Sequence, residues 1–301
     1  MRTTGEPADQ IAIARQGVAA MGPVFDLTVL KDTARLYAPL VRDQASEGVR
    51  IAPDIPYGPH ERHRLDLFQP GRADGAPMLI FIHGGGFVGG DKHVNDDFYR
   101  NLGLFFARRG IITIAANYRL APHHVWPAGA QDVASLVRWA RDNAARLGGD
   151  QQAVFLFGQS AGAAHVAGYL FSPDLWDEAA GGVAGGILMS GVYRAFGDGV
   201  GPGMIAYFGE DEAARRADCP LTRAPANRTP LMIGVMEYDP PEIAVHSFEL
   251  AAALTRSSDR SPLFVRYAGH NHVSTVYGMG SGQDEVGEDI ARFIRARSDA
   301  A

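Results

Sequence analysis

The chain is poor in cysteine: Cys219 is the only one among 301 residues. An intramolecular disulfide and a cysteine-built metal cluster are thereby excluded, and the expected location is the reducing cytoplasm. Cys219 precedes Pro220, has no partner pattern around it, and is expected to be structural. Basic charge is also scarce. Lysine and arginine number 28 against 34 acidic residues, for a formal charge of -6. A nucleic-acid binder normally presents a basic face, so no such partner is expected. No stretch approaches the run of about 18 apolar residues that spans a bilayer. Residues 1–22 lack the apolar core of a secretory leader, so no membrane association is expected. Repeats and low-complexity tracts are missing too, and the glycine-rich Gly197–Gly203 reads as a flexible loop.

What is present is an ordinary globular composition, 46% hydrophobic and 21% charged, sufficient for a sizeable core. Residues 1–48 show a loose helical spacing at Ile11, Ile13, Val18, Val29, Leu30, Leu36, Tyr37, Leu40 and Val41, punctuated by Pro7, Gly22-Pro23 and Pro39. Ile51–Tyr57 and His63–Phe68 alternate and read as a hairpin-like pair. Met78–Ile82 and Ile111–Ala115 are short continuous apolar runs, as in strands buried on both faces. Helical patterns fall at Asp97–Arg109 and Ala130–Leu147. The strands Ala153–Phe157, Val183–Ser190, Leu231–Met236 and Leu263–Tyr267 alternate with helices near 161–171, 242–256 and 284–297. This grammar predicts an α/β protein with a mostly parallel, doubly wound sheet.

The chemistry starts at Gly158-Gln159-Ser160-Ala161-Gly162, directly behind the Ala153–Phe157 strand. A serine between two glycines, on a tight turn from strand to helix, has the G-x-S-x-G form of a nucleophile elbow. A serine hydroxyl needs a base to take its proton, an acid to orient the base, and donors for the developing oxyanion. His83-Gly84-Gly85-Gly86-Phe87 follows the strand ending at Ile82, and its bare backbone suits an oxyanion loop. Gly85 and Gly86 are the expected donors, with Ala161 as the third. A phosphate loop would need Gly-Lys-Ser/Thr after the glycines, where Val88-Gly89-Gly90-Asp91 stands. For the acid, Asp239 is favoured, with Glu237 and then Glu242 behind it; a carboxylate here could also merely cap a helix. For the base, His272 is favoured over His270. No metal-ligand spacing accompanies these histidines, and neither metal nor organic cofactor is expected. His60, His63, His123 and His124 read as surface polar residues. The order oxyanion loop, serine, acid, histidine, each after a predicted strand, is the order this chemistry requires in an open α/β sheet.

With these motifs the chain resembles the α/β-hydrolase superfamily, specifically the hormone-sensitive-lipase-like carboxylesterases and their kynurenine-formamidase-like relatives. The stretches that carry the resemblance include Pro56-Tyr57-Gly58, His63–Phe68, His83–Phe87, Asn117–Pro122, Trp126-Pro127-Ala128, Gln131-Asp132-Val133, Gly158–Gly162, Glu237–Pro240 and Gly269-x-x-His272. The last of them supports His272. The resemblance implies an eight-stranded hydrolase sheet over 49–301, a helical cap from residues 1–48, and a Ser160–His272–Asp239 triad. It implies hydrolysis of small-molecule esters with short to medium acyl chains, or of an arylformamide or amide by the same groups. Pro241-Glu242 and Val273-Ser274 depart from the residues often found beside the acid and the histidine. With no large insertion between Ser190 and Pro230, the N-terminal helices are expected to cover the site. Phe87, Val88, Trp126, Tyr193, Tyr207 and Phe208 are candidates to line it, with core packing as the alternative for each. A non-catalytic binding protein on this fold would be expected to lose the serine or the histidine, and both are present. A homodimer is the one self-association left open.

Overall fold

The computed structural model describes residues 7–173, 182–258 and 261–298. Residues 1–6 of the expected N-terminal segment and the last three residues lie outside this range. In chain order the main elements are helices α1 (Pro7–Met21) and α2 (Leu27–Val41), then strands β1 (Val49–Pro56), β2 (Arg64–Pro70) and β3 (Ala76–Ile82). These are followed by α3 (Arg100–Ala107), β4 (Ile112–Ala116), α4 (Ala128–Leu147), β5 (Gly149–Gln159), α5 (Ala161–Leu170) and β6 (Gly185–Met189). Three short helices come next: α6 (Pro202–Phe208), α7 (Glu212–Asp218) and α8 (Pro220–Arg223). β7 (Leu231–Tyr238), α9 (Pro241–Ser257), β8 (Leu263–Asn271), α10 (Ser274–Tyr277) and α11 (Glu285–Ser298) complete the order.

All eight strands form one sheet in the order β1-β2-β4-β3-β5-β6-β7-β8. β1 and β2 pair antiparallel, as do β2 and β4, and every later pair is parallel. The expected hairpin and the expected parallel sheet are both found. The continuous apolar runs have the predicted physical cause. In β3, Met78, Ile80 and Ile82 enter a core layer with α4, α5 and α9, while Leu79 and Phe81 enter the opposite layer with α3 and α11. A strand covered on both faces has no polar side to show.

Some boundaries moved, for identifiable reasons. The helix expected from Asp97 starts at Arg100. The Asn95 side chain accepts from the backbone N–H of both Asp97 and Phe98, and Tyr99 takes a left-handed conformation at φ 69°. That local turn outcompetes the helix. Pro39 does not end α2, which runs on through it to Val41. Gly197–Gly203 is not wholly a loop, because Pro202 occupies the first turn of α6.

Candidate active site

The chain leaves β5, turns at Ser160 and enters α5. Ser160 has φ 57° and ψ −124°, a strained conformation for a residue with a side chain. The turn closes against β3: a Cβ at Gly162 would collide with the Ile82 carbonyl oxygen. The serine hydroxyl, partly buried, thus stands at the carboxyl edge of the sheet.

His272 follows β8 and reaches back over this turn. Its Nε2 lies 2.9 Å from Ser160 Oγ, and its Nδ1 lies 2.8 Å from Asp239 Oδ1. Asp239 follows β7 and is buried. Its second oxygen accepts from Ser190 Oγ at 2.6 Å and from Met236 N at 2.8 Å. Both carboxylate oxygens are therefore engaged, which fixes the group in place. The Phe25 ring, from the loop between α1 and α2, lies against the imidazole, centroids 4.3 Å apart.

The alternatives for acid and base lie elsewhere. Glu237 is turned toward β8, accepting from Gly269 N at 2.7 Å and pairing with Arg266 at 3.2 Å. Those two contacts, the backbone donor first, lower its pKa. Glu242 is exposed in the first turn of α9. His270 is fully buried beside Ser274, Gln283 and Glu285.

The glycine loop lies beside the serine. Gly85 has φ 140°, and a Cβ there would strike the Gly89 carbonyl; the loop turns back on itself as Gly89 N donates to Gly85 O at 3.0 Å. The backbone N–H groups of Gly85, Gly86 and Ala161 make no hydrogen bond to any described residue. His83, the first residue of the motif, is a strut. Its Nδ1 lies 2.6 Å from Gly84 O and its Nε2 3.1 Å from Asn117 Oδ1. Burial lowers its pKa to about 4, so it is uncharged at neutral pH.

Two of the stretches that carried the resemblance prove to be scaffold. Asn117 accepts from Lys92 N at 2.6 Å, tying the strand end to the glycine loop. Asp132 receives Arg119 N at 2.7 Å and stands 3.0 Å from His63 Nε2. His63 is thus buried rather than a surface residue.

A cavity of about 690 Å³ opens over Ser160 and His272. Phe25 comes from the loop between α1 and α2, Leu27 and Leu30 come from α2, and Met204 comes from α6. The roof is therefore shared, not supplied mainly by the N-terminal segment. Of the six proposed lining residues, Phe87 is in the wall. Trp126, Tyr193, Tyr207 and Phe208 are core. Trp126 stacks on Phe208 at 5.6 Å, and the Tyr207 hydroxyl accepts from Gly129 N. Tyr193 is completely buried. Val88 is half exposed and outside the wall. Phe25, Met204, Ser190 and Gln159 were not singled out from the sequence. Only Gln159, inside the serine motif, had a signal that could have drawn attention to it.

Comparison with known proteins agrees with this geometry. The BD-FAE family model matches residues 65–174. Esterase LipC of Mycobacterium tuberculosis is 39% identical over 87 residues, covering 29% of this chain and 21% of LipC. A probable isoprenylcysteine alpha-carbonyl methylesterase of Oryza sativa subsp. japonica is 26% identical over 275 residues, covering 82% of this chain and 64% of that one. The chain thus spans less than two thirds of either relative. Among solved structures, esterase B from Lactobacillus rhamnosis, inhibited by a tributyrin phosphonate, superposes with a TM-score of 0.75 at 19% identity, over 98% of this chain and 97% of that one. The chain therefore has the α/β-hydrolase fold, and the proteins it is similar to are named as esterases.

Proposed function

We propose that the protein is a serine carboxylesterase acting on neutral esters with short to medium acyl chains. The observation that carries this reading is the unbroken line Asp239–His272–Ser160, with contacts of 2.8 and 2.9 Å, beside unpaired N–H groups. Ser160 Oγ attacks the acyl carbon while His272 Nε2 takes its proton. Asp239 orients the ring and stabilises the imidazolium. The negative oxygen is received by the N–H groups of Gly85, Gly86 and Ala161. The C–O bond then breaks, and His272 protonates the leaving alcohol. Water attacks the acyl-serine, His272 accepting its proton and returning one to Ser160 as the acid departs.

The substrate class follows from the cavity. Among the described residues no lysine or arginine lines it, and apart from the reacting groups, Gln159, Asp91 and His93, its side chains are apolar or aromatic. An anionic acyl group would lose hydration there without gaining a lysine or arginine partner. We read residues 1–48 as a cap on a catalytic domain of 49–301, which the placement of Phe25, Leu27 and Leu30 supports. No described helix is long and apolar enough to cross a membrane, and the single buried cysteine suits the cytoplasm.

The test is hydrolysis of a p-nitrophenyl ester series by the wild type and by Ser160→Ala, with fluorophosphonate labelling of Ser160. The expected result is activity and labelling in the wild type and near-total loss of both in the folded variant. A variant that keeps wild-type rates overturns the mechanism.

A further inference from the structure

The N-terminal helices touch the base of the site as well as its mouth. Three consecutive residues at the end of β8 have three different engagements. His272 faces Ser160 and Asp239. Asn271 turns toward α2: its Nδ2 donates to Thr33 Oγ1 at 2.8 Å, while its Oδ1 accepts from Ser274 N at 3.0 Å. His270 Nδ1 lies 3.0 Å from Ser274 Oγ, and its Nε2 lies 3.1 Å from the Gln283 amide and 3.2 Å from Glu285. The Gln283 carbonyl oxygen accepts from the Tyr37 hydroxyl, also on α2, at 2.7 Å. Thr33, Tyr37, His270, Asn271 and Gln283 are all at most 2% exposed. An ion pair of Arg15 on α1 with Glu285 closes the group at the surface, where such pairs add little.

We propose that Thr33 and Tyr37 are positioning residues for His272. The inference rests on the esterase reading above. A purely covering helix would need only apolar contacts with the site. Here α2 instead commits two buried hydroxyls, Thr33 to Asn271 and Tyr37 to Gln283, which in turn meets His270. Thr33 acts through one side chain and one peptide bond: it holds Asn271, and Asn271 is joined directly to His272. Buried hydrogen bonds of this kind permit one arrangement and penalise the rest. Precision matters at this point, because the imidazole must serve Ser160 and Asp239 at once and the reaction is steeply sensitive to its placement. A covering role and a positioning role differ in what they move. The first alters KM and acyl preference; the second alters kcat and the intrinsic reactivity of Ser160.

The test replaces Thr33 by valine, which keeps its shape and removes its hydroxyl. With p-nitrophenyl butyrate, kcat is expected to fall about tenfold with KM within about twofold. Fluorophosphonate labelling of Ser160, which also needs the base, is expected to slow in the same proportion. Thr33→Ser is expected to restore both. Tyr37→Phe, which removes the bond to Gln283, is expected to act in the same direction and decides the matter if Thr33→Val does not fold. Folded Thr33→Val and Tyr37→Phe at wild-type kcat overturn the inference, as does a loss confined to KM or a failure of Thr33→Ser to rescue. A wild type that neither hydrolyses esters nor labels overturns the esterase reading itself.

Discussion

The Gln159 side-chain amide donates to the His272 carbonyl oxygen at 2.8 Å. The residue before Ser160 therefore holds the backbone of His272, and this buried bond ties the β5–α5 turn to the segment after β8. Replacing Gln159 by leucine strands that buried carbonyl and frees the loop. Loss of about 1 kcal/mol of positioning is expected, or roughly a fivefold to tenfold drop in kcat, with KM little changed. Steady-state kinetics on one ester suffices; an unchanged kcat would mean that the histidine is held by its other contacts alone.

The two carboxylates after β7 are expected to separate cleanly. Asp239→Asn cannot hold His272 in the required tautomer and should lower kcat by about 10⁴. Glu237→Gln keeps a hydrogen bond for Gly269 N and removes only the charge facing the exposed Arg266, so its kcat should stay within about threefold of wild type. Comparable losses in both variants would contradict the assignment of the acid.

Cavity walls and core aromatics should answer differently to substitution. Met204→Trp adds bulk to the cavity wall and should disfavour hexanoate against acetate by at least about tenfold in kcat/KM, the scale of a few methylenes in an apolar pocket. Trp126→Ala removes a partly buried side chain stacked on Phe208 and should lower the melting temperature through a loss of about 2–3 kcal/mol, below the cost of a fully buried ring. The acetate to hexanoate ratio of that variant should not move. Kinetics on the two esters and a thermal melt distinguish the two kinds of residue.

Acid should destabilise the fold in a defined window. Burial lowers His83 to about 4 and His165 to about 3, whereas unfolded imidazoles titrate near pH 6.5. Below that pH the unfolded chain binds protons that the folded chain refuses, so stability falls as pH drops from 6.5 toward 4. Glu285 continues the trend. Burial pushes its carboxyl up, but the His270 hydrogen bond and Arg15 outweigh this and hold it at about 2. Its contribution is complete above the usual carboxylate range and is lost as pH falls through that range toward 2. Neither ring nitrogen of His165 has a hydrogen-bond partner among the described residues. The ring sits among Phe87, Tyr118 and Tyr207. His165→Phe should therefore melt no lower than wild type at pH 7 and lose less stability between pH 6.5 and 4. Melts at several pH values check this, and an equally acid-labile variant would assign the proton uptake to other groups.

Local chemistry made much of this protein legible before any fold was seen. Strand runs such as Met78–Ile82 are apolar because both faces are covered. The glycines at 85, 158 and 162 mark places where backbone must pass close to backbone, and Gly86 takes a positive φ. Asp239 and His272 stand just past strand ends, where an open α/β sheet gathers its reactive groups. These are short-range patterns, written in neighbouring residues. What only the tertiary structure decided depends on contacts between distant segments. Phe25 meets His272 and Thr33 meets Asn271 across more than 200 positions, and Ser190 reaches Asp239 from the neighbouring strand. Tyr193, Tyr207 and Phe208, offered as walls of the site, were drawn into the core instead, because a large ring gains more from burial than from a cavity surface. Sequence alone determined which groups could react. The packing of α2 and α6 against the sheet edge decided how they are held and what surrounds them.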